Sequence, residues 1–280
     1  MDLVAIGHLT IDRTSGGARP GGAAYYAAIT AWRLGLEVAV LTSYGPDFPA
    51  DLMPPEIRIV NVPSDRTTTF AVESSGKGRR LRLLNRAADL EESHLPDEWR
   101  GVPLALLCPV IGEVDPTCSS SFVEAALGVV PQGWMRQRGS GGAIGEAPWE
   151  DADIVLPHAQ LVVVSEEDVA TVPQTTLEEW FQQVPMGAVT RGAQGATLFV
   201  NGDPYHVAPD RAIEVDETGA GDVFATTLLI EYDREGNAWD AAAAAACAAA
   251  AAVEQTGSAG IPDRAALAER VAAYRRRLGG

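Results

Sequence analysis

One carboxylate in this chain sits in a setting suited to moving a proton. Asp216-Glu217-Thr218-Gly219-Ala220-Gly221-Asp222 runs directly into Val223, Phe224, Thr227, Leu228 and Ile230, apolar or small residues at near-helical spacing. A glycine-rich turn therefore opens a helix. The glycines allow positive φ or close approach to a ligand, and Thr218 reads as an N-cap or turn residue. The first N–H groups of a helix lack intrahelical partners and carry partial positive charge, which suits a phosphate or a developing oxyanion. With Asp222 inside that turn, a base that accepts a hydroxyl proton stands beside donors for a transferring phosphoryl group. The local pattern also fits a plain turn capped by a carboxylate, and short glycine motifs do not decide between the two.

Other residues are placed to take part. Asp12 follows the strand-like Leu3–Ile6 and Gly7, where a βα sheet presents its ligand-binding edge. Gly21 and Gly22 precede an apolar helical run containing Tyr25 and Tyr26. Gln132 and Arg136 follow the strand-like 128–130, where surface packing and substrate contact are both open. Ser165-Glu166-Glu167-Asp168 follows the apolar Leu161–Val164, and its acidic residues suit the first turn of a helix. Thr190-Arg191-Gly192-Ala193-Gln194-Gly195 joins two strand-like runs as a two-glycine turn. The glycines of 139–145 do not lie between a clear strand and a helix. No Gly-x-Gly-x-x-Gly follows the first strand, which argues against a dinucleotide-binding oxidoreductase.

Alternating βα elements must position these residues. Strands are expected at 3–6, 37–43, 104–108, 128–130, 161–164, 187–190 and 196–200. Helices are expected from Pro20 to Leu34, with Gly35 just past the end, from Asp115 to Leu127, after Val223, across the alanine run 241–252, and from Asp263 to Arg277. Thr14–Pro20 reads as a loop. Residues 57–84 break the alternation with three β-like runs, Ile57–Val62, Thr67–Glu73 and Arg79–Leu84, the last two joined through Ser74–Gly78 as a hairpin. This segment is expected to leave the main sheet.

The 280 residues suffice for one large α/β domain or two small ones. The net charge of −17 disfavours nucleic acid and anionic membrane as partners, and Lys77 is the only lysine. Cys108, Cys118 and Cys247 lack metal-like spacing and fit buried thiols of a reducing compartment. No signal peptide is evident at the N-terminus, and the alanine run is too short and too weakly apolar to span a bilayer. The expected location is the cytoplasm.

The string Thr218-Gly219-Ala220-Gly221-Asp222, with Asp216 two residues before it, resembles the C-terminal signature of the ribokinase-like (PfkB) family of sugar and nucleoside kinases. Gly7-His8-Leu9-Thr10-Ile11-Asp12 is similar to its opening Gly-x-x-x-x-Asp stretch. Pro20-Gly21-Gly22 resembles its Gly-Gly motif, and Thr190–Gly195 its Thr-x-Gly-x-x-Gly segment. The resemblance covers most of the chain and implies a three-layer α/β sandwich with a central, mainly parallel sheet. It further implies a single domain, 1–280, with a β lid formed by about 13–20 and 57–85 that covers substrate and can make a homodimer contact. It implies an ATP- and Mg²⁺-dependent kinase for a small polyhydroxylated substrate. Asp222 would be the base, with Gly219, Ala220 and Gly221 as anion hole. Asp12, Gly21, Gly22 and Tyr26 would meet substrate, and Ser165, Thr190, Gly192, Gly195 and Thr218 the nucleotide. The turn near Gly257-Ser258-Ala259 would border the adenine. The family usually carries Asn-x-x-Glu where this chain has Ser165 and Asp168, so Mg²⁺ placement through water falls to Asp168 or Glu167. In some relatives the residue matching Asp216 helps hold a monovalent cation. Many sugar kinases have Asn where this chain has Tyr26, which points away from ribose and, with the signature string, towards the inositol-kinase branch. A nucleoside kinase and a catalytically silent ligand sensor on the same fold are the alternatives.

Overall fold

The computed structural model describes residues 1–75 and 78–279. In chain order the strands and helices are β1 (Leu3–Ile6), β2 (Thr10–Thr14), β3 (Gly17–Gly21), α1 (Ala23–Arg33), β4 (Val38–Tyr44), β5 (Arg58–Pro63), β6 (Thr69–Ser75), β7 (Gly78–Asn85), β8 (Leu104–Leu107) and β9 (Ala126–Val129). There follow β10 (Arg136–Arg138), β11 (Ile144–Glu146), α2 (Ala152–Val155), β12 (Leu161–Ser165), α3 (Gln174–Gln183), β13 (Met186–Thr190), β14 (Ala196–Val200), β15 (Asp203–Val207), α4 (Ala220–Glu235), α5 (Ala238–Ala252) and α6 (Arg264–Leu278).

Nine strands form the main sheet in the order β15-β14-β13-β12-β9-β8-β1-β4-β5, parallel from β13 to β5 and antiparallel at the β14 and β15 edge. Its strands are near-continuous apolar runs because both faces are covered. Alternate side chains feed two cores: Leu3, Ala5 and Leu106 pack under α1, α4, α5 and α6, while Val4, Ile6 and Leu107 pack with Trp99, Phe122, Trp149 and the residues of α2 and α3. This is the expected three-layer α/β arrangement. The alanine run lies along α4, where methyl side chains permit close approach. No described helix is long and apolar enough to cross a membrane.

A second sheet, β3-β2-β6-β7, stands apart from the first. It differs from the expected lid in three respects. Residues 58–63 are not part of it, because β5 pairs in parallel with β4 and extends the main sheet. Thr14–Pro20 is no loop, since β2 and β3 pair from Thr10–Gly21 to Thr14–Gly17. Asp12 lies within β2, opposite Arg19, rather than in a loop after β1. Gly76 and Lys77, expected to turn the β6–β7 hairpin, lie outside the described residues.

Two expected helix starts are different structures. Asp115 does cap, accepting the Thr117 N–H at 2.8 Å, but Pro116–Ser121 is a 3₁₀ stretch and the chain returns as β9 at Ala126. Its three consecutive serines compete with the backbone for hydrogen bonds and do not sustain an α-helix. After β12 the acidic residues form turns, and the helix begins only at Gln174, behind Pro173.

The joint between the sheets is a buried polar network. His8 lies between β1 and β2. One ring nitrogen donates to the Ala88 carbonyl at 2.7 Å, and the other accepts from the Thr68 hydroxyl at 2.7 Å. Burial lowers the His8 pKa, consistent with this neutral tautomer. Thr68 Oγ1 also accepts the Ala87 N–H at 2.8 Å, and the Leu9 N–H donates to Thr42 Oγ1 at 2.8 Å. Glu113 accepts from the N–H groups of His8, Val110 and Ile111. The small sheet is thus docked by fixed, directional bonds.

Candidate active site

The strands diverge on either side of β1 and β8: the chain leaves β1 for β4 on one side and β8 for β9 on the other. Ligands collect at the carboxyl ends of strands beside such a switch point. Here α4 begins. Its N-cap is Gly219, not Thr218, in the left-handed region at φ 81°, and no side chain caps it. A Cβ at Gly219 would lie 2.3 Å from the Tyr26 ring, so α1 can pack against this turn only because the residue is glycine. A Cβ at Gly221 would meet nothing within 4 Å, and this side of the turn is exposed. The Ala220 N–H donates to the Glu217 carbonyl at 3.2 Å, and the N–H groups of Gly221 and Asp222 follow it on the exposed side of the first turn, a setting that suits an anion.

Asp222 lies in that first turn, partly buried. Burial pushes its carboxyl up to about 7; Arg136 pulls it down, while Asp168 and Asp12 raise it. These influences bring together three expected site residues, Asp12, Asp168 and Asp222. They also add Arg136, for which sequence left surface packing open. Arg136 starts β10 and donates from Nη1 to the Val110 carbonyl at 3.2 Å, in the loop held by Glu113. Sequence picked out Arg136 with Gln132 by its place after a strand, but β10 is a three-residue strand with no periodic signal, so the direction of its side chain was not readable.

Asp12 is 6% exposed and accepts from the Thr10 hydroxyl at 3.2 Å. Gly21 and Gly22 make room for it. A Cβ on Gly21 would lie 2.5 Å from the Asp12 carboxylate, and one on Gly22, at φ 95°, 2.4 Å from the His8 carbonyl. Gly22 is the N-cap of α1, so the Asp12 carboxylate comes close to a helix N-terminus. Tyr26 is 2% exposed, and its hydroxyl has no hydrogen-bond partner among the described residues. The charges acting on it are those of Arg19, Asp12, Asp216 and Asp222.

Ser165 and Thr190 end the adjacent parallel strands β12 and β13, in register with each other. Asp168 folds back on Ser165, accepting its N–H at 3.0 Å and its hydroxyl at 2.6 Å through Oδ2. Its Oδ1 accepts from Gln132 at 2.9 Å. Three of about four lone-pair positions are thus used, leaving capacity for one contact to a metal-bound water. Glu167 is exposed. Among the described residues no group of three or more His, Cys, Asp or Glu is arranged to hold a metal ion directly. Gly192 and Gly195 have φ of 49° and 84°, and a Cβ on Gly195 would meet the Val207 carbonyl at 2.2 Å. Arg191 turns to Thr197 and Glu166.

Sequence reasoning missed Arg19. From β3 it reaches the loop before α4, with Nη1 2.5 Å from Asp216 Oδ2 and Nη2 3.3 Å from Oδ1. Nη2 also donates to Thr218 Oγ1 at 3.1 Å. Asp216 further accepts the N–H of Thr218 at 3.1 Å and of Gly257 at 3.0 Å. Burial alone would raise this carboxyl, but these donors outweigh it and hold it at about 2.

Comparison with known proteins fits this geometry. The chain is 30% identical to inositol 3-kinase of Zea mays over 205 residues, covering 69% of this chain and 52% of the relative, so the match spans about half of that protein. It is 26% identical to fructokinase of Escherichia coli over 253 residues, covering 79% of each. Its fold superposes with a TM-score of 0.80 on a pyrophosphate-dependent kinase in the ribokinase family complexed with a pyrophosphate analog and myo-inositol, at 20% identity and covering 96% of this chain and 99% of that one. Residues 9–264 match the pfkB family carbohydrate kinase, and with the signature loop, Asp12 and the βα switch point in place the chain belongs to that family.

Proposed function

We propose that this protein transfers the γ-phosphoryl group of ATP to a hydroxyl of a cyclitol or sugar, with myo-inositol the first acceptor to try. The observation that carries the reading is Asp222. It stands in the first turn of an uncapped helix, bordered by open space at Gly221, with its carboxyl near 7. A base is most effective when its pKa lies near the working pH.

In this reading the acceptor hydroxyl, oriented by Asp12 and the Tyr26 hydroxyl, gives its proton to an Asp222 oxygen as its own oxygen bonds to the γ-phosphorus. The bond to the β–γ bridging oxygen breaks, and its electron pair leaves with ADP. The N–H groups of Gly221 and Asp222 face the charge on the transferring oxygens, the electrostatic term that dominates such reactions, while the Ala220 N–H is held by the Glu217 carbonyl at 3.2 Å. Arg136 supplies a positive charge that favours the ionised form of Asp222. Ser165, Thr190, Gly192, Gly195 and Thr218 line the donor side. Asp168, with one lone-pair position left, would hold a water of a Mg²⁺ ion, whose charge would offset that of the donor phosphates. The small sheet acts as a lid over the acceptor and excludes water. The acceptor class rests on the plant inositol 3-kinase relatives and on Tyr26, which fills volume that a smaller polar residue would leave open.

The test is product formation from Mg-ATP, and in parallel from Mg-pyrophosphate, across cyclitols, pentoses, hexoses and nucleosides, with Asp222→Asn as control. Turnover on a cyclitol or hexose with ATP, lost in the variant, is expected. Turnover with pyrophosphate alone would replace the donor. ATP binding without turnover on any acceptor would favour a ligand sensor, and full activity of Asp222→Asn would overturn the mechanism.

A further inference from the structure

The monovalent cation that the family resemblance attaches to Asp216 meets a position already filled. Among the described residues the partners of this carboxylate are donors: two guanidinium nitrogens of Arg19, the N–H groups of Thr218 and Gly257, and the Thr218 hydroxyl. A metal ion needs converging oxygen acceptors, and here the carboxylate oxygens and Thr218 Oγ1 are turned to Arg19 instead. The donor set is that of an anion held by fixed positive groups, so the residues do not fit a metal ion. Arg19 is a permanent cation, and its two-pronged contact fixes geometry as well as charge. It arrives on β3, opposite Asp12, so the small sheet and the loop that opens α4 are joined by one ion pair.

We propose that the Arg19 guanidinium takes the place of a monovalent cation at Asp216, positioning the loop 216–219 from the small sheet, so that this protein neither binds nor requires such an ion. Arg19 acts through the loop and not on the reacting atoms; it is a positioning residue. The expected consequence of its removal is specific. A carboxylate in a half-buried setting loses its charged partner but keeps two N–H donors, and the vacated volume next to it can admit a small cation. Loss of Arg19 should therefore create the ion dependence that the native chain lacks, which a purely structural role would not do.

The experiment compares the full chain with Arg19→Met by thermal unfolding and by turnover, in potassium, ammonium or tetramethylammonium chloride at one ionic strength. The native protein is expected to unfold at the same temperature in all three, within about 1 °C. Arg19→Met is expected to melt lower in tetramethylammonium and to gain ~2–4 °C in potassium or ammonium. With the acceptor identified above, native turnover is expected to be unchanged by the salt. Arg19→Met should lose on the order of 10²-fold through displacement of the loop, and recover part of this with ammonium or free guanidinium. A double variant, Arg19→Met with Asp216→Asn, leaves no unpaired charge and is expected to fold without salt preference even where the single variant does not. A potassium requirement or potassium-specific stabilisation in the native protein overturns the proposal, as does native-like, salt-indifferent stability of Arg19→Met. The melting comparison needs no substrate, so it decides the proposal even where the kinase reading itself fails.

Discussion

Asp216 and Asp222 stand six residues apart on one loop, and their surroundings set them to opposite tasks. Asp216 is wrapped in donors and held at about 2, ionised at any working pH. Asp222 is partly buried, under the influence of Asp168 and Asp12, and lifted to about 7, where it can take and release a proton. Residue type and local sequence do not separate them, since both are aspartates beside glycine-rich turns. What separates them is what the rest of the chain brings: a guanidinium from β3 to one, two carboxylates and a partly dry turn to the other. Where environments push like groups apart, the poised one is the candidate base and the clamped one is structural.

The largest effect should expose this difference. Asp222→Asn is expected to lower kcat by ~10²–10⁴-fold, whereas Asp216→Asn, which retains hydrogen bonding, should lose no more than about 10²-fold through misplacement of the loop. Equal losses, measured as product formation under saturating substrates, would erase the distinction. The pH profile sharpens it further. The rate should rise with pH through about 7 as Asp222 loses its proton, then level off. Arg136→Met removes the charge that favours the carboxylate, so its profile should move to higher pH. Asp168→Asn removes a repelling charge and should move it lower.

Stability should change in opposite directions. Asp222 has a folded pKa above its unfolded value, so its contribution is full below about pH 4 and is lost as pH rises through about 7. Asp222→Asn should therefore stabilise the fold at pH 8 and hardly change it at pH 4. The ceiling is about 4 kcal/mol for roughly three pKa units, reduced by the water that reaches this partly exposed group. Asp216 has a depressed folded pKa, so its contribution is present above the unfolded value and fades as pH falls towards 2. Asp216→Asn should be destabilising at pH 8, and urea unfolding of both variants at the two pH values checks the signs.

Two smaller effects probe the Tyr26 side of the same loop. Gly219→Ala meets both a φ of 81° and the Tyr26 ring, so it should cost ~1–2 kcal/mol in unfolding free energy and lower turnover. Tyr26→Phe keeps the ring under Gly219 and removes only the unpaired hydroxyl. Its thermal stability should be native-like or slightly higher, while the acceptor KM rises by up to about 10-fold, the value of one hydrogen bond. A fall in kcat with unchanged KM would assign Tyr26 to the loop and not to the acceptor.

Much of the site was legible because its residues are consecutive. Gly219 to Asp222 carry their own turn and helix start, and Gly21–Gly22 mark the start of α1; that Gly21 makes room for the Asp12 carboxylate appears only in the fold. The central strands of the main sheet were legible because two buried faces demand uninterrupted apolar runs; the exposed edge strand β15 carries no such run and was not. The limits of the small sheet were not, because β5 has the same half-buried pattern as a lid strand and only the open edge of β4 decides that it joins the main sheet. Nor was the 3₁₀ stretch at 116–121, where capping by Asp115 looked like the start of a full helix.

The sequence by itself determined the βα order and the glycine turn that opens α4 with Asp222 in it, since each follows from near neighbours and from side-chain periodicity. Tertiary structure alone decided which charges surround that base. Arg19 lies 197 residues from Asp216 along the chain, and Arg136 acts on Asp222 from β10 and Asp168 from the turn after β12. The pKa of a carboxylate depends on charges a few ångströms away in space, and no local pattern encodes that distance.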